Sequence, residues 1–196
     1  FIHDIKKIAS LLPERRQNLM FTATFSNSFR SLAKEMADKA IEVSVTSDNE
    51  TGENIEHYVH PVDKSRKAEL LIELIETQNW DQALVFTRTK HGADRLQKQL
   101  DRVEIKSQAI HGNKTQNNRM KALDAFKNNR IKILVATDVA ARGIDIKKMS
   151  QVINFDVPTV AKDYIHRIGR TGRAGDKGKA ITLVSADEFR LLRDIE

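Results

Sequence analysis

Three arginines, Arg167, Arg170 and Arg173, stand three residues apart in "DYIHRIGRTGRAGDKGK" (residues 163–179), with Gly169 and Gly172 between them. A guanidinium is always charged and offers a planar fork of donors, and glycine lets a backbone come close, so the pattern suits phosphate oxygens; the plainer reading is a solvated basic turn. Gln116 and Arg119 lie one turn apart near the start of a predicted helix that Thr115 can cap. There the helix dipole and the arginine both favour an anion, although Arg119 also reads as an ordinary surface arginine. Thr137 and Asp138 close an apolar run, where a hydroxyl and a carboxylate are costly to place and so more often have a use. Asp145 has the chemistry to accept a hydrogen bond from a sugar hydroxyl, and equally to cap a turn or pair with Arg142.

Other chemistries are not supported. The sequence has no G-x-x-x-x-G-K-S/T loop to cradle a triphosphate, no G-x-G-x-x-G opening a helix after a strand and no G-x-S-x-G elbow. His57 and His60 are three apart in a strand-like segment, hence on opposite faces, with no third ligand nearby, so no metal site is expected. Cysteine is absent, which removes disulfides, thiolate metal sites and cysteine nucleophiles and fits a reducing cytoplasm. The net charge of +6 permits a polyanionic partner without requiring one. No apolar run approaches the roughly 20 residues of a membrane span, and no signal peptide is recognisable.

The elements that must position these groups are legible as alternating patterns. "QALVF" (82–86), "IKSQAI" (105–110), "IKILVA" (131–136), "QVINF" (151–155) and "AITLV" (180–184) have the length and β-branched content of strands. Helical stripes fall between them, such as Ala93, Leu96 and Leu100, or Met120, Leu123 and Phe126. Repeated strand–helix alternation predicts an open α/β sandwich with a mainly parallel sheet from about residue 55 onward. In such a sheet the strand exits gather on one rim, and "TRTKHG" (87–92), "HGNKTQNNR" (111–119) and "TDVAARGID" (137–145) would all stand there.

Residues 1–45 differ. Phe29, Leu32, Ala33, Met36 and Ala37 form a core-facing helical stripe, with Ser26 or Asn27 placed to cap it, but the stretch is too short to bury that face alone. The polar segment "TSDNETGEN" (46–54) reads as a linker. We therefore expect residues 1–45 to be the tail of a preceding domain; the alternative is an N-terminal arm packed on the same sheet.

"HRIGRTGR" (166–173), "ATDVAARGID" (136–145), "HGNKTQNNR" (111–119), "LVFTRTK" (84–90) and "TAT" (22–24) resemble motifs VI, V, IVa, IV and III of the DEAD-box RNA helicases, in order and spacing. The wording "NWDQALVFTRTKHGAD" (79–94) is most similar to the bacterial RhlE-type branch, and His166 resembles DEAD-box proteins rather than the DEAH branch, which usually has glutamine there. "TAT" departs from the family's usual S-A-T by one methyl and keeps the hydroxyl at Thr22.

The resemblance implies a RecA-like three-layer sandwich over 55–196, the second of two such domains, with ATP·Mg²⁺ clamped between them and RNA lying across both. The P-loop and the D-E-A-D carboxylates would belong to the missing N-terminal RecA-like domain, so the fragment alone is expected to be inactive. Carried across by position, Arg170 and Arg173 would meet the γ-phosphate, His166 would couple ATP to the interdomain contacts, and Asp145, with Gly143, would hold the nucleotide at its ribose. Thr89, Gly112, Gln116, Arg119 and Thr137 fall on RNA-facing motifs, and Thr22, Thr24 and Arg142 on those that couple the domains. The other expectation kept open is a non-catalytic RecA-like module that binds RNA or a protein on the same basic rim.

Overall fold

The computed structural model describes residues 2–22, 27–37, 40–43, 54–141, 149–172 and 177–195. The chain divides into two compact units, Phe1–Ser47 and Asp48–Glu196.

The first unit holds helices α1 (Ile2–Ser10) and α2 (Asn27–Met36). None of its described residues is buried; Phe29, Leu32, Ala33, Met36 and Ala37 are half-buried, and Phe21 and Ile41 are almost fully exposed. Asn27 is already the first residue of α2, and Ser26 lies outside the described residues. Asn18 Nδ2 donates to the Met36 carbonyl at 2.6 Å, and Lys6 meets Glu35 at 2.8 Å.

The second unit is built on six strands: β1 (Ile55–Pro61), β2 (Ala83–Phe86), β3 (Ser107–Ile110), β4 (Ile133–Ala136), β5 (Gln151–Asn154) and β6 (Gly178–Val184). They form one sheet in the order β1-β6-β5-β2-β4-β3, every pair parallel. The central strands "ALVF" and "ILVA" are buried along their whole length, as strands covered on both faces must be. Alternate residues go to opposite layers. Val85, Ile133, Val135, Ile153 and Leu183 meet α3 (Lys67–Thr77) and α4 (Lys90–Arg102) through Leu71, Leu74, Leu96 and Leu100.

On the other face Leu84, Phe86, Leu134 and Val152 meet α5 (Gln116–Lys127) and the short α6 (Asp138–Ala141) through Ala122, Phe126 and Ala140. There too α7 (Ala161–Ile168) packs Tyr164 and Ile168 on Ile55 and Ala180; α8 (Phe189–Arg193) follows β6. The result is the α/β sandwich with a parallel sheet expected from the alternation of strand and helix patterns, in the three-layer RecA-like form that the resemblance implied.

Candidate functional site

Register sets the rim. Thr182, Asn154, Phe86, Ala136 and Ile110 pair across the sheet in one row, so the residues that follow the last four, Phe155, Thr87, Thr137 and His111, leave it at the same level. Neighbouring exits are then tied by side chains. Thr89 caps α4 by accepting from Gly92 N at 2.9 Å, and Lys90 Nζ donates to Asn113 Oδ1 at 3.1 Å, joining the β2 and β3 exits. Buried His111 accepts from Asn113 N on Nδ1, which leaves its proton on Nε2, 2.9 Å from Asp94 Oδ1. Lys114 meets the same oxygen at 2.9 Å. Desolvation pushes the Asp94 carboxyl up, but the hydrogen bonds from His111 and Lys114, together with the Lys114 charge, outweigh it and hold the group below its ordinary value.

The predicted RNA-facing residues share this rim. Thr115 caps α5 through Asn118 N at 3.3 Å, which puts Gln116 and Arg119 on its first turn. Arg119 is half-buried: one terminal nitrogen donates to Gln116 Oε1 at 3.2 Å, the other reaches the Ala140 carbonyl at 3.5 Å, and Nε is buried with no partner. The structure thus replaces the ordinary exposed arginine with one that bridges the β3 and β4 exits and keeps a donor unused. Thr137 is half-buried at the β4 exit. Gly112 is exposed, and a methyl there would meet nothing within 4 Å, so the fold itself does not demand glycine.

Of the three arginines that spacing groups together, the two within the described residues, Arg167 and Arg170, differ in burial. Arg167 is 1% exposed and faces the sheet, not solvent. Its Nε and one terminal nitrogen bind the two oxygens of Asp138 at 2.6 and 2.8 Å; the other terminal nitrogen donates to Asn154 Oδ1 at 3.1 Å and the Asp156 carbonyl at 2.7 Å. The guanidinium also lies 5.1 Å from the centre of the Phe86 ring. This residue is no open phosphate ligand: it is a bolt holding α7 to the β4 and β5 exits. The sequence misleads because Arg167 falls on the same α7 face as Tyr164 and Ile168, while the repeat every three residues suggests one exposed row.

His166 and Arg170 are half-buried and line a shallow cleft with Phe86, Asp138, Ala141, Asp163 and Arg167. The backbone of this motif leaves the rim: Met149 N donates to the Arg170 carbonyl at 3.2 Å, and Thr171 Oγ1 donates to the Met149 carbonyl, both just ahead of β5. Among the described residues, the phosphate-facing candidates His166 and Arg170 therefore occupy the flank of α7 and the RNA-facing candidates the strand-exit rim, with Asp138 bordering both. Arg142, Gly143, Asp145, Arg173 and Thr24 lie outside the described residues. Thr22 is an exposed residue of the first unit.

A second buried ion cluster escaped the sequence reading. Lys67, 1% exposed, pairs with Glu188 and donates to the Phe155 carbonyl at 2.8 Å. Glu188 also receives Arg88 at 2.7 Å, Val157 N at 3.2 Å and Ser185 N at 3.2 Å, while Arg88 N donates to Asp156 Oδ2 at 2.9 Å. The cluster joins α3 to the β2, β5 and β6 exits, and its carboxylates and cations balance, as buried charge requires. Two signals were available: Lys67 sits at a core position of the stripe Lys67, Leu71, Leu74, Ile75, and "SADE" (185–188) is a capping box.

Residues 66–175 match the helicase conserved C-terminal domain. A crystal structure of the E. coli DEAD-box protein SrmB bound to the regulator of ribonuclease activity A is 39% identical, with a TM-score of 0.67 over 71% of this chain and 82% of that one. The chain belongs to the DEAD-box family. Other DEAD-box relatives align along almost its entire length: the ATP-dependent RNA helicase DbpA of Bacillus subtilis is 41% identical over 196 residues. S. cerevisiae Dbp5 bound to RNA and ADP BeF3 has a TM-score of 0.84 at 32% identity, covering 98% of this chain and 51% of that one. The DEAD-box chain spans 41% of the length of DbpA.

Proposed function

We propose that this chain is the second-domain portion of an ATP-dependent RNA helicase that opens short stretches of RNA duplex. Residues 55–196 are the C-terminal RecA-like domain, 46–54 the linker and 1–45 the tail of the first domain. The observation that carries the reading is the Asp138–Arg167 pair, which fastens the strand exit bearing Thr137 to α7, the helix that bears His166 and runs into the turn holding Arg170. Whatever grips a strand at the rim is thereby coupled to the groups that would meet a nucleotide.

The cleft beside Arg170 is shallow and lined by cations and carboxylates alike, so it suits the outer face of a phosphate presented by another surface. ATP·Mg²⁺ would be held mainly by the first domain and would supply the phosphoryl group whose hydrolysis resets the machine. In this chain Arg170 and Arg173 meet the γ-phosphate, His166 links the nucleotide to the domain interface, Asp145 and Gly143 hold the ribose side, and Arg142 couples the domains with Thr22 and Thr24.

Thr89, Gly112, Gln116, Arg119 and Thr137 take RNA phosphates and 2′-hydroxyls, which makes binding independent of sequence. ATP and RNA together favour the closed pair of domains, whose bent groove a duplex cannot follow; hydrolysis releases it. The RhlE-type placement rests on the wording of residues 79–94 alone, and the setting we assign is the cytoplasm. No helix among the described residues is long and apolar enough to cross a membrane.

The test is RNA-stimulated ATP turnover by the full-length protein, parent against Arg170→Ala and Arg173→Ala at fixed salt. Arginine fingers are worth about 10³ to 10⁵ in turnover, so either variant should be nearly inactive. Turnover unchanged by both, or absent from the parent, would return the chain to the alternative of a non-catalytic binding module.

A further inference from the structure

The outward face of α4 carries His91, Arg95, Lys98 and Arg102, all exposed, at positions i, i+4, i+7 and i+11. At 100° per residue these four point almost directly away from Ala93, Leu96 and Leu100, which face the core. They form a straight basic row about 16 Å long at 1.5 Å per residue. The row is uncompensated by its own helix. Its two carboxylates lie to one side and are taken: Asp94 by His111 and Lys114, Asp101 by Ser107 Oγ at 3.1 Å and by Gln97 Nε2 at 3.4 Å. Among the described residues no carboxylate pairs with His91, Arg95, Lys98 or Arg102. The neighbouring α3 shows exposed Glu69, Glu73 and Glu76, so the positive strip is narrow, one side chain wide.

We propose that this row binds the phosphate backbone of RNA that continues past the rim, adding an outer track to the RNA groove. The inference rests on the RNA-helicase reading above. Two features select this occupant. The row starts at His91, directly after Thr89 and Lys90 at the β2 exit, so it is continuous with the candidate RNA rim. Its single-file charge, flanked by carboxylates, matches one polyphosphate strand and opposes a broad acidic surface. Phosphate contacts carry no sequence information, so the track would extend grip on the substrate and leave its choice unchanged.

The experiment compares the full-length protein with an Arg95→Gln, Lys98→Gln, Arg102→Gln triple variant. Binding to a six-nucleotide single strand, chosen as too short to extend far past the rim, and to a 25-nucleotide single strand is titrated from 50 to 300 mM salt. Single-strand phosphate contacts each contribute about 0.7 to the slope of log affinity against log salt, so the variant's slope on the long RNA should fall by roughly 2. Its affinity there should drop about tenfold or more at low salt, with the short RNA unaffected. The altered side chains are exposed, and the unchanged short-RNA affinity serves as the control for folding. A parent slope retained on the long RNA, or equal losses on both lengths, overturns the proposal. So does a variant that loses binding only to poly-glutamate, which would assign the row to an acidic polypeptide. If the parent binds neither RNA, the RNA reading itself fails along with the track.

Discussion

Removing the carboxylate of Asp138 isolates an interaction that joins the two halves of the candidate site among the described residues. In Asp138→Ala the Arg167 guanidinium, 1% exposed, loses two hydrogen bonds and its counter-charge. Stranding one member of a buried ion pair costs about 3–5 kcal/mol. Two features reduce that here: the Asp138 side chain is 25% exposed, and Arg167 keeps Asn154 Oδ1 and the Asp156 carbonyl. We therefore expect a loss of about 2–4 kcal/mol, or roughly 4–16 °C in Tm for a domain of this size.

Urea unfolding followed by tryptophan fluorescence reads this directly, because the chain has one tryptophan and Trp80 is buried in the second unit. Arg167→Met should partly rescue Asp138→Ala, since a hydrophobic side chain of similar length leaves no charge behind, and the double variant should cost less than the sum of the singles. A loss below about 1 kcal/mol for Asp138→Ala, or simple additivity in the cycle, would refute the account of Arg167 as a buried bolt.

Other expectations are shorter. Gly172 sits at φ +64°, and a Cβ there would lie 2.5 Å from Ile55 Cγ1, so Gly172→Ala should destabilise the second unit by about 1–3 kcal/mol in a thermal melt. Hydrogen bonds from Lys64 and Ser185 pull the Asp187 carboxyl down to about 2. Because the folded value lies below the unfolded one, the contact's contribution is present above the ordinary carboxylate range and fades as pH falls toward 2. A carbon-detected NMR titration should show this low value in the parent and its return toward 3.8 in Lys64→Ala. Arg119→Ala should weaken binding to unrelated RNA sequences alike and lower the salt slope by about 0.7 to 0.9; a loss confined to one sequence would contradict a phosphate contact.

Periodicity in the sequence was enough for the architecture of the second unit. Strands such as "ALVF" and "ILVA" are apolar throughout because both faces are covered, and Ala93, Leu96 and Leu100 are spaced for one side of a helix, so local pattern and global layer agree. The expected stripe Met120, Leu123 and Phe126 is corrected by the structure: Met120 is exposed, and Ala122 with Phe126 faces the sheet. Caps were equally plain at Thr115, whose hydroxyl acts three residues away. Motif order along the chain identified the family, and the residues that reach the rim followed from it.

Contacts between distant segments were not legible. Arg167 and Asp138 are 29 residues apart, Lys67 and Glu188 121, and nothing in the composition of either neighbourhood says which charge will be buried against which. That is decided by the parallel register, which brings the β2, β4 and β5 exits to one level and leaves the buried guanidinium of α7 facing the partly exposed Asp138 carboxylate. A sequence fixes which groups are present and which face of each element they occupy; only packing sets their distance and desolvation, and those two quantities turned Arg167 from an apparent phosphate ligand into a structural tie.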